Sequence, residues 1–192
     1  EGYLAKVTFR SVFHESGFTL GEADREQIEE DFEIPKQVLE QLAEDEVRNL
    51  LVLSAIEDLA QRHQRVIVFA TTVEHSDLLA YVLRARGLWA RSVTGSTPGS
   101  ERLAILDQFK ASSDEPRVVC NFGVLTTGFD APQTSAAVIA RPTTSLVLYS
   151  QMVGRAIRGP EAGGNAAAEI VTVVDSALPG FGDVREAFLN WE

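Results

Sequence analysis

The sequence predicts an α/β protein: a mainly parallel sheet covered by helices on both faces, with a helical flank before it. Three observations carry this. From Arg65 onward, short apolar runs alternate with longer amphipathic stretches, the texture of strands buried on both faces and joined by crossover helices. Hydrophobic residues make up 45% and charged residues 23% of 192 residues, a globular balance. The lone Cys120 rules out an internal disulfide framework and disfavours a Cys-based zinc site, and His14, His63 and His75 have no metal-ligand spacing.

Taken in order, residues 3–9 (YLAKVTF) alternate as a strand does. Residues 22–49 are helix-rich, with Pro35 opening a helix at its first turn. Residues 46–63 form a long amphipathic helix, and Val47, Leu50, Leu51, Ser54, Ile56 and Leu59 suit a face packed on a sheet. Strands are then expected at Val66–Ala70, Ala90–Thr94, Val118–Phe122, Ala137–Ala140 and Ile170–Val174. Helices are expected between them at Glu74–Arg86, Gly99–Ala111 and Ser145–Ile157. Function in such sheets gathers beyond the carboxyl ends of the strands, which points to the loops at Thr71-Thr72, Thr94–Pro98, Gly123–Pro132 and Arg141–Ser145.

The net charge of −11 sits in one segment: residues 15–58 hold 14 Asp/Glu against Arg25, Lys36 and Arg48. The remainder is nearly neutral, so the acidity is a weaker objection to nucleic-acid binding than the total implies. The boundaries expected are 1–45 for an acidic, mostly helical flank or inter-domain connection, and 46–192 for the main domain. No apolar run reaches 18 residues and the N-terminus lacks a signal-peptide core, so no membrane association and a cytoplasmic location are expected. The chain starts without Met on a strand-like stretch, as a piece of a longer protein would.

Three stretches carry chemistry. In YSQMVGRAIRGP (149–160), a helix with Gln151 at zero would put Arg155 near about +40° and Arg158 near about −20°. Leu146, Tyr149, Met152, Val153, Ala156 and Ile157 would occupy the opposite side, and Gly159-Pro160 would end the helix. Two guanidiniums aimed together call for an anion, and bidentate phosphate recognition suits arginine. In VVCNFGVLTTGFDAP (118–132), backbone N–H groups and threonine hydroxyls at a strand end can hold a phosphate, and Asp130 can accept from a sugar hydroxyl or an arginine; an Asx turn before Ala-Pro is the competing reading. In TGSTPGSERLAILDQF (94–109), Thr97 is the expected N-cap before Pro98, with Arg102 one turn in; a backbone phosphate or simple capping fits the same residues.

In order and spacing these stretches resemble the second RecA-like motor domain of superfamily-two helicases and translocases. VIVFATTVEHS (66–76) resembles motif IV, TGSTPGSER motif IVa, LTTGFDAP motif V and QMVGRAIRGP motif VI; the TGFDAP form is similar to DEAD/DEAH-type helicases near restriction-enzyme motor subunits. The resemblance implies a RecA-like three-layer sandwich. It implies ATP, with Mg²⁺, held mainly by an N-terminal RecA-like domain of the same protein. Arg155 and Arg158 would then reach the γ-phosphate as arginine fingers, with Gln151 ordering the cleft and Gly128 and Asp130 at the nucleotide edge. Thr94, Gly95, Arg102, Thr126 and Thr127 would touch a sugar-phosphate backbone, with DNA favoured over RNA.

The chain has no G-x-x-x-x-G-K-[ST] and no D-E-x-H-like motif, so it reads as half of an ATPase, inactive alone. Phe122, Phe129, Tyr149 and Trp89 are expected to fill core more than to stack on bases. Two alternatives stand beside the motor: a non-catalytic interaction module that kept the fold, and a small-molecule α/β enzyme using the Asp175 end of the sheet.

Overall fold

A computed structural model describes residues 2–17, 19–31, 33–125 and 130–178. Six strands form one sheet: β1 (Lys6–His14), β2 (Arg65–Phe69), β3 (Trp89–Val93), β4 (Arg117–Asn121), β5 (Ala136–Ile139) and β6 (Ala167–Asp175). Their spatial order is β1-β6-β5-β2-β4-β3, and every pairing is parallel. Each of the five strands expected after Arg65 is present within a residue or so, except that β6 starts three residues early. β2 lies at the centre with all five residues buried, which is why its sequence, RVIVF, does not alternate.

Helices α3 (Glu46–Ala60) and α4 (Val73–Ala85) cover one face, where Val52, Ile56, Leu59, Leu79 and Leu83 meet Val66, Val68, Val118 and Val171. Helices α5 (Gly99–Lys110) and α6 (Leu146–Val153) belong to the other, with Phe109, Tyr149 and Met152 against Ile67, Val119 and Ile170. This makes three layers. Helices α1 (Glu22–Asp31) and α2 (Lys36–Glu44) carry a third apolar cluster, in which Ile28, Val38, Leu39 and Leu42 meet Val174 at the end of β6 and Leu178 just past it.

Four expectations change. The strand placed at 3–9 is shifted to Lys6–His14 and is the edge strand of the main sheet, paired residue for residue with β6, so residues 1–45 are not wholly helical. On α3, Val47 and Leu50 are 63% and 58% exposed and Ser54 is exposed; the buried stripe is Arg48, Val52, Ala55, Ile56 and Leu59. Those positions recur at helical spacing one step round from the stripe chosen by hydrophobicity, because Arg48 is buried with a partner. Thr97 does not cap α5: its Oγ1 accepts from the Thr94 N–H at 2.9 Å, and Pro98 holds the N-cap position.

Finally, α6 stops at Val153 rather than Ile157, and Gly159-Pro160 begins a short 3-10 turn instead of ending a helix. The cause lies downstream. Arg158 forms an antiparallel bridge with Leu4, and the Gly159 N–H donates to Tyr3 O at 2.9 Å, so the backbone must be extended where the helix would have continued. A Cβ on Gly159 would lie 2.7 Å from the Leu4 carbonyl carbon, so only glycine admits this approach.

Candidate functional site

Because all strands are parallel, the sheet has one carboxyl edge and one amino edge, separated by a strand length of about 15 Å. The sequence-predicted residues divide between them.

At the amino edge, α6 returns from the end of β5 and delivers Gln151 on its last turn, half-buried. Arg155 follows in a turn in which its N–H donates to Met152 O at 3.3 Å, and Arg158 follows on the Leu4 bridge. Helical periodicity therefore does not bring the two arginines together; the turn and the bridge do. Arg158 Nη1 donates to Asp130 Oδ1 in an ion pair whose side chains are 32% and 70% exposed. Arg155 belongs to the same electrostatic group: burial and then the neighbouring Arg158 cation lower its pKa, while Asp130 opposes the shift. Asp130, Arg155 and Arg158 thus share one corner. Two guanidiniums at a partly open surface suit an incoming anion. Asn165 fastens this corner to the start of β5 through Pro132 O and Thr134 O, both at 3.3 Å. Gly128 lies outside the described residues.

At the carboxyl edge, Thr94 follows β3 and is buried. Its hydroxyl is shared with Ser96 Oγ at 2.8 Å, and its carbonyl accepts from Arg102 Nη2 at 2.9 Å. Thr94 and Arg102 thus hold the loop in shape, and Gly95, exposed with nothing within 4 Å of its Cβ direction, is its open point. Thr126 and Thr127 lie outside the described residues. Asn121, fully buried at the end of β4, anchors the next loop: its Nδ2–H donates to Val68 O at 2.9 Å and its Oδ1 accepts from the Leu125 N–H at 3.3 Å.

Three features escaped the sequence reading. Arg141, just past β5, lies over the Phe122 ring at 4.8 Å, and burial lowers its pKa while Glu33 partly opposes this. Its signal was an arginine directly after a strand, on a loop already singled out. Arg48 donates from Nε to Asp175 Oδ1 at 2.8 Å and from Nη2 to Asp175 Oδ2 at 2.9 Å, and both side chains are fully buried. Asp175 is therefore a structural partner of a buried cation, which removes the alternative of a small-molecule site built on it. The signal for Arg48 was its place one helical step from Val52, Ala55 and Ile56. Tyr149 fills core, as expected, and also shares a 2.8 Å hydrogen bond between its OH and Thr172 Oγ1. Among the described residues no group of three or more His, Cys, Asp or Glu could hold a metal, and no helix is long and apolar enough to cross a membrane.

A family model described as "Helicase conserved C-terminal domain" matches residues 43–160. The chain is 33% identical over 92 residues to a protein of Saccharomyces cerevisiae described as the ATP-dependent helicase IRC3, covering 48% of this chain and 13% of that one. It is 32% identical over 110 residues to the ATP-dependent rRNA helicase rrp3 of Schizosaccharomyces pombe, covering 57% and 23%. Among solved structures, a fragment described as an HsdR subunit of a type I restriction enzyme from Vibrio vulnificus superposes with a TM-score of 0.65 at 22% identity, covering 95% of this chain and 34% of that one. That likeness shows a RecA-like fold. The chain spans less than a quarter of the length of the curated relatives it matches.

Proposed function

Since the chain belongs to the helicase conserved C-terminal domain family, we propose that it is the C-terminal motor domain of an ATP-dependent helicase or translocase, completing an ATP site whose phosphate loop and Mg²⁺ ligands stand on an N-terminal RecA-like domain of the same protein. The observation that carries the reading is the amino-edge corner, where Arg158 pairs with Asp130 and Arg155 lies within electrostatic reach of both. ATP supplies the phosphoryl bond whose cleavage drives movement. The residues fit its charge, because a γ-phosphate oxygen can compete with Asp130 for Arg158 and meet Arg155 at the same point. Gln151, one turn earlier, orders the cleft, and Asp130 and Gly128 border the nucleotide. A guanidinium fixed beforehand stabilises the charge that develops in the transition state, an effect worth about 10³–10⁵ in rate.

The carboxyl edge takes the nucleic-acid backbone. Gly95 leaves room for a phosphate, and Thr94 and Arg102 keep its loop in place; the motif resemblance assigns the hydroxyls of Thr126 and Thr127 to the same backbone. Contacts of this kind read no sequence and release counterions, so binding weakens steeply with salt. We favour DNA over RNA; the likeness to a restriction-enzyme subunit over 95% of the chain supports this, while a relative named as an rRNA helicase supports RNA. We assign the cytoplasm as its compartment.

The test uses the full-length protein and the isolated chain side by side. Arg155→Ala or Arg158→Ala in the full-length protein lowers kcat for ATP hydrolysis by about a thousandfold with a small change in KM. The isolated chain shows negligible hydrolysis. Turnover by the isolated chain that survives Arg155→Ala would overturn the proposal. Competition between single-stranded DNA and RNA of one sequence decides the track, and cell fractionation the compartment.

A further inference from the structure

Polar groups that the motor reading leaves unused converge beside the carboxyl edge. There α2 and the first turns of α3 and α4 enclose a groove of about 540 Å³. Its rim carries Glu40, Glu44, Glu46 and Glu74, all exposed. Lys36 pairs with Glu40 at 3.1 Å, leaving the other three carboxylates without an ion pair among the described residues.

Asn49 and His75 also line the groove, and they are 8% and 1% exposed. Asn49 Nδ2–H donates to Ala43 O at 2.7 Å, which fixes the orientation of the amide; its Oδ1 is buried and accepts no hydrogen bond. The Thr71 N–H donates to His75 Nδ1 at 3.2 Å, so the proton of the neutral ring is on Nε2, which is also buried and has no acceptor. A donor and an acceptor left over in the lining of one acidic groove mark a place where outside groups are wanted.

We propose that this groove docks a basic segment of a partner protein, whose lysine or arginine side chain lies among the carboxylates and donates to Asn49 Oδ1 while a backbone carbonyl of the same segment accepts from His75 Nε2–H. The chemistry selects that occupant. The carboxylates repel a polyanion. A bare metal ion would leave the His75 donor unused, and no metal-holding cluster is present among the described residues. A peptide brings both a multiply donating cation and an accepting carbonyl. Burial and the nearby Arg48 cation hold the His75 pKa down to about 3, so the ring adds no opposing charge at neutral pH.

The experiment uses this chain without nucleotide, so its outcome is independent of the ATP reading. A capped eight-residue alanine peptide carrying two arginines is titrated at low salt, followed by nitrogen-edited NMR of the His75 ring and the Asn49 side-chain amide. Both signals are expected to move on saturation, and a matching peptide with two glutamates should leave them still. Glu44→Gln with Glu74→Gln, at exposed positions that do not carry the fold, weakens the arginine peptide about tenfold. The proposal is overturned if the double variant binds like the wild type, if saturation leaves the two signals unmoved, or if spermidine binds as tightly as the peptide. It is equally overturned if an oligonucleotide moves the same two signals.

Discussion

Arg48 heads the fully buried side chains by volume, and it is a cation. Besides its fork to Asp175, its Nη2 donates to Ala140 O at 2.6 Å, so one side chain ties α3 to the ends of β5 and β6. Arg48→Leu would strand the Asp175 charge and should cost about 3–5 kcal/mol, whereas Arg48→Met combined with Asp175→Leu should cost much less; urea denaturation of both variants checks this. His75 makes the second prediction at this scale. Its pKa falls from near 6.5 to about 3 in the folded chain, so between those values the unfolded chain binds the extra proton. Stability from this group is complete above about pH 6.5 and drains away as the pH falls towards 3. His75→Asn should flatten the acid limb of a stability–pH curve measured by denaturant titration. Neither partner was legible in the residues themselves. The spacing of Arg48 from Val52, Ala55 and Ile56 signals burial but does not name Asp175, and nothing local reports that Thr71 waits for His75.

At the scale of elements, the strands were the most legible. Runs such as VIVFA (66–70) and VVCNF (118–122) are continuous because both faces of the sheet are covered, and a buried parallel strand needs no other signal. The end of α6 was not legible, because it is decided by Leu4, some 150 residues away in sequence. The order and approximate place of Asp130, Arg155 and Arg158 could be read, but not the turn and bridge that join them. Glycines at 159 and 164 make that junction possible: a Cβ on Gly164 would lie 2.6 Å from the Arg158 carbonyl carbon. Gly164→Ala should therefore displace Arg158 and lower kcat in the full-length protein while the melting temperature falls by only a few degrees, about 1 kcal/mol. Steady-state kinetics and thermal unfolding of one variant separate the two effects.

Across the whole molecule, the parallel topology puts the two proposed tasks on separate edges. The acid of residues 15–58 is concentrated on α1, α2 and the start of α3, and the apolar sides of α1 and α2 join Val174 and Leu178 at the end of β6. That acid lies near the edge where a polyanion is proposed to run. Replacing exposed Glu22, Glu26, Glu29 and Glu30 of α1 by Gln should raise oligonucleotide affinity several-fold at low salt, and hardly at all near 1 M, where screening reaches only about 3 Å; fluorescence anisotropy at both salts checks this. The β4–β5 connection has a different consequence. It leaves one edge at Asn121, reaches Asp130 at the other, and is pinned by buried Leu125 and Ala131 in one core cluster. In the proposed reading its two described ends serve different tasks, grip at one and fuel at the other. On that reading, a substitution that shifts Leu125 or Ala131 disturbs both at once, and neither can be tuned alone.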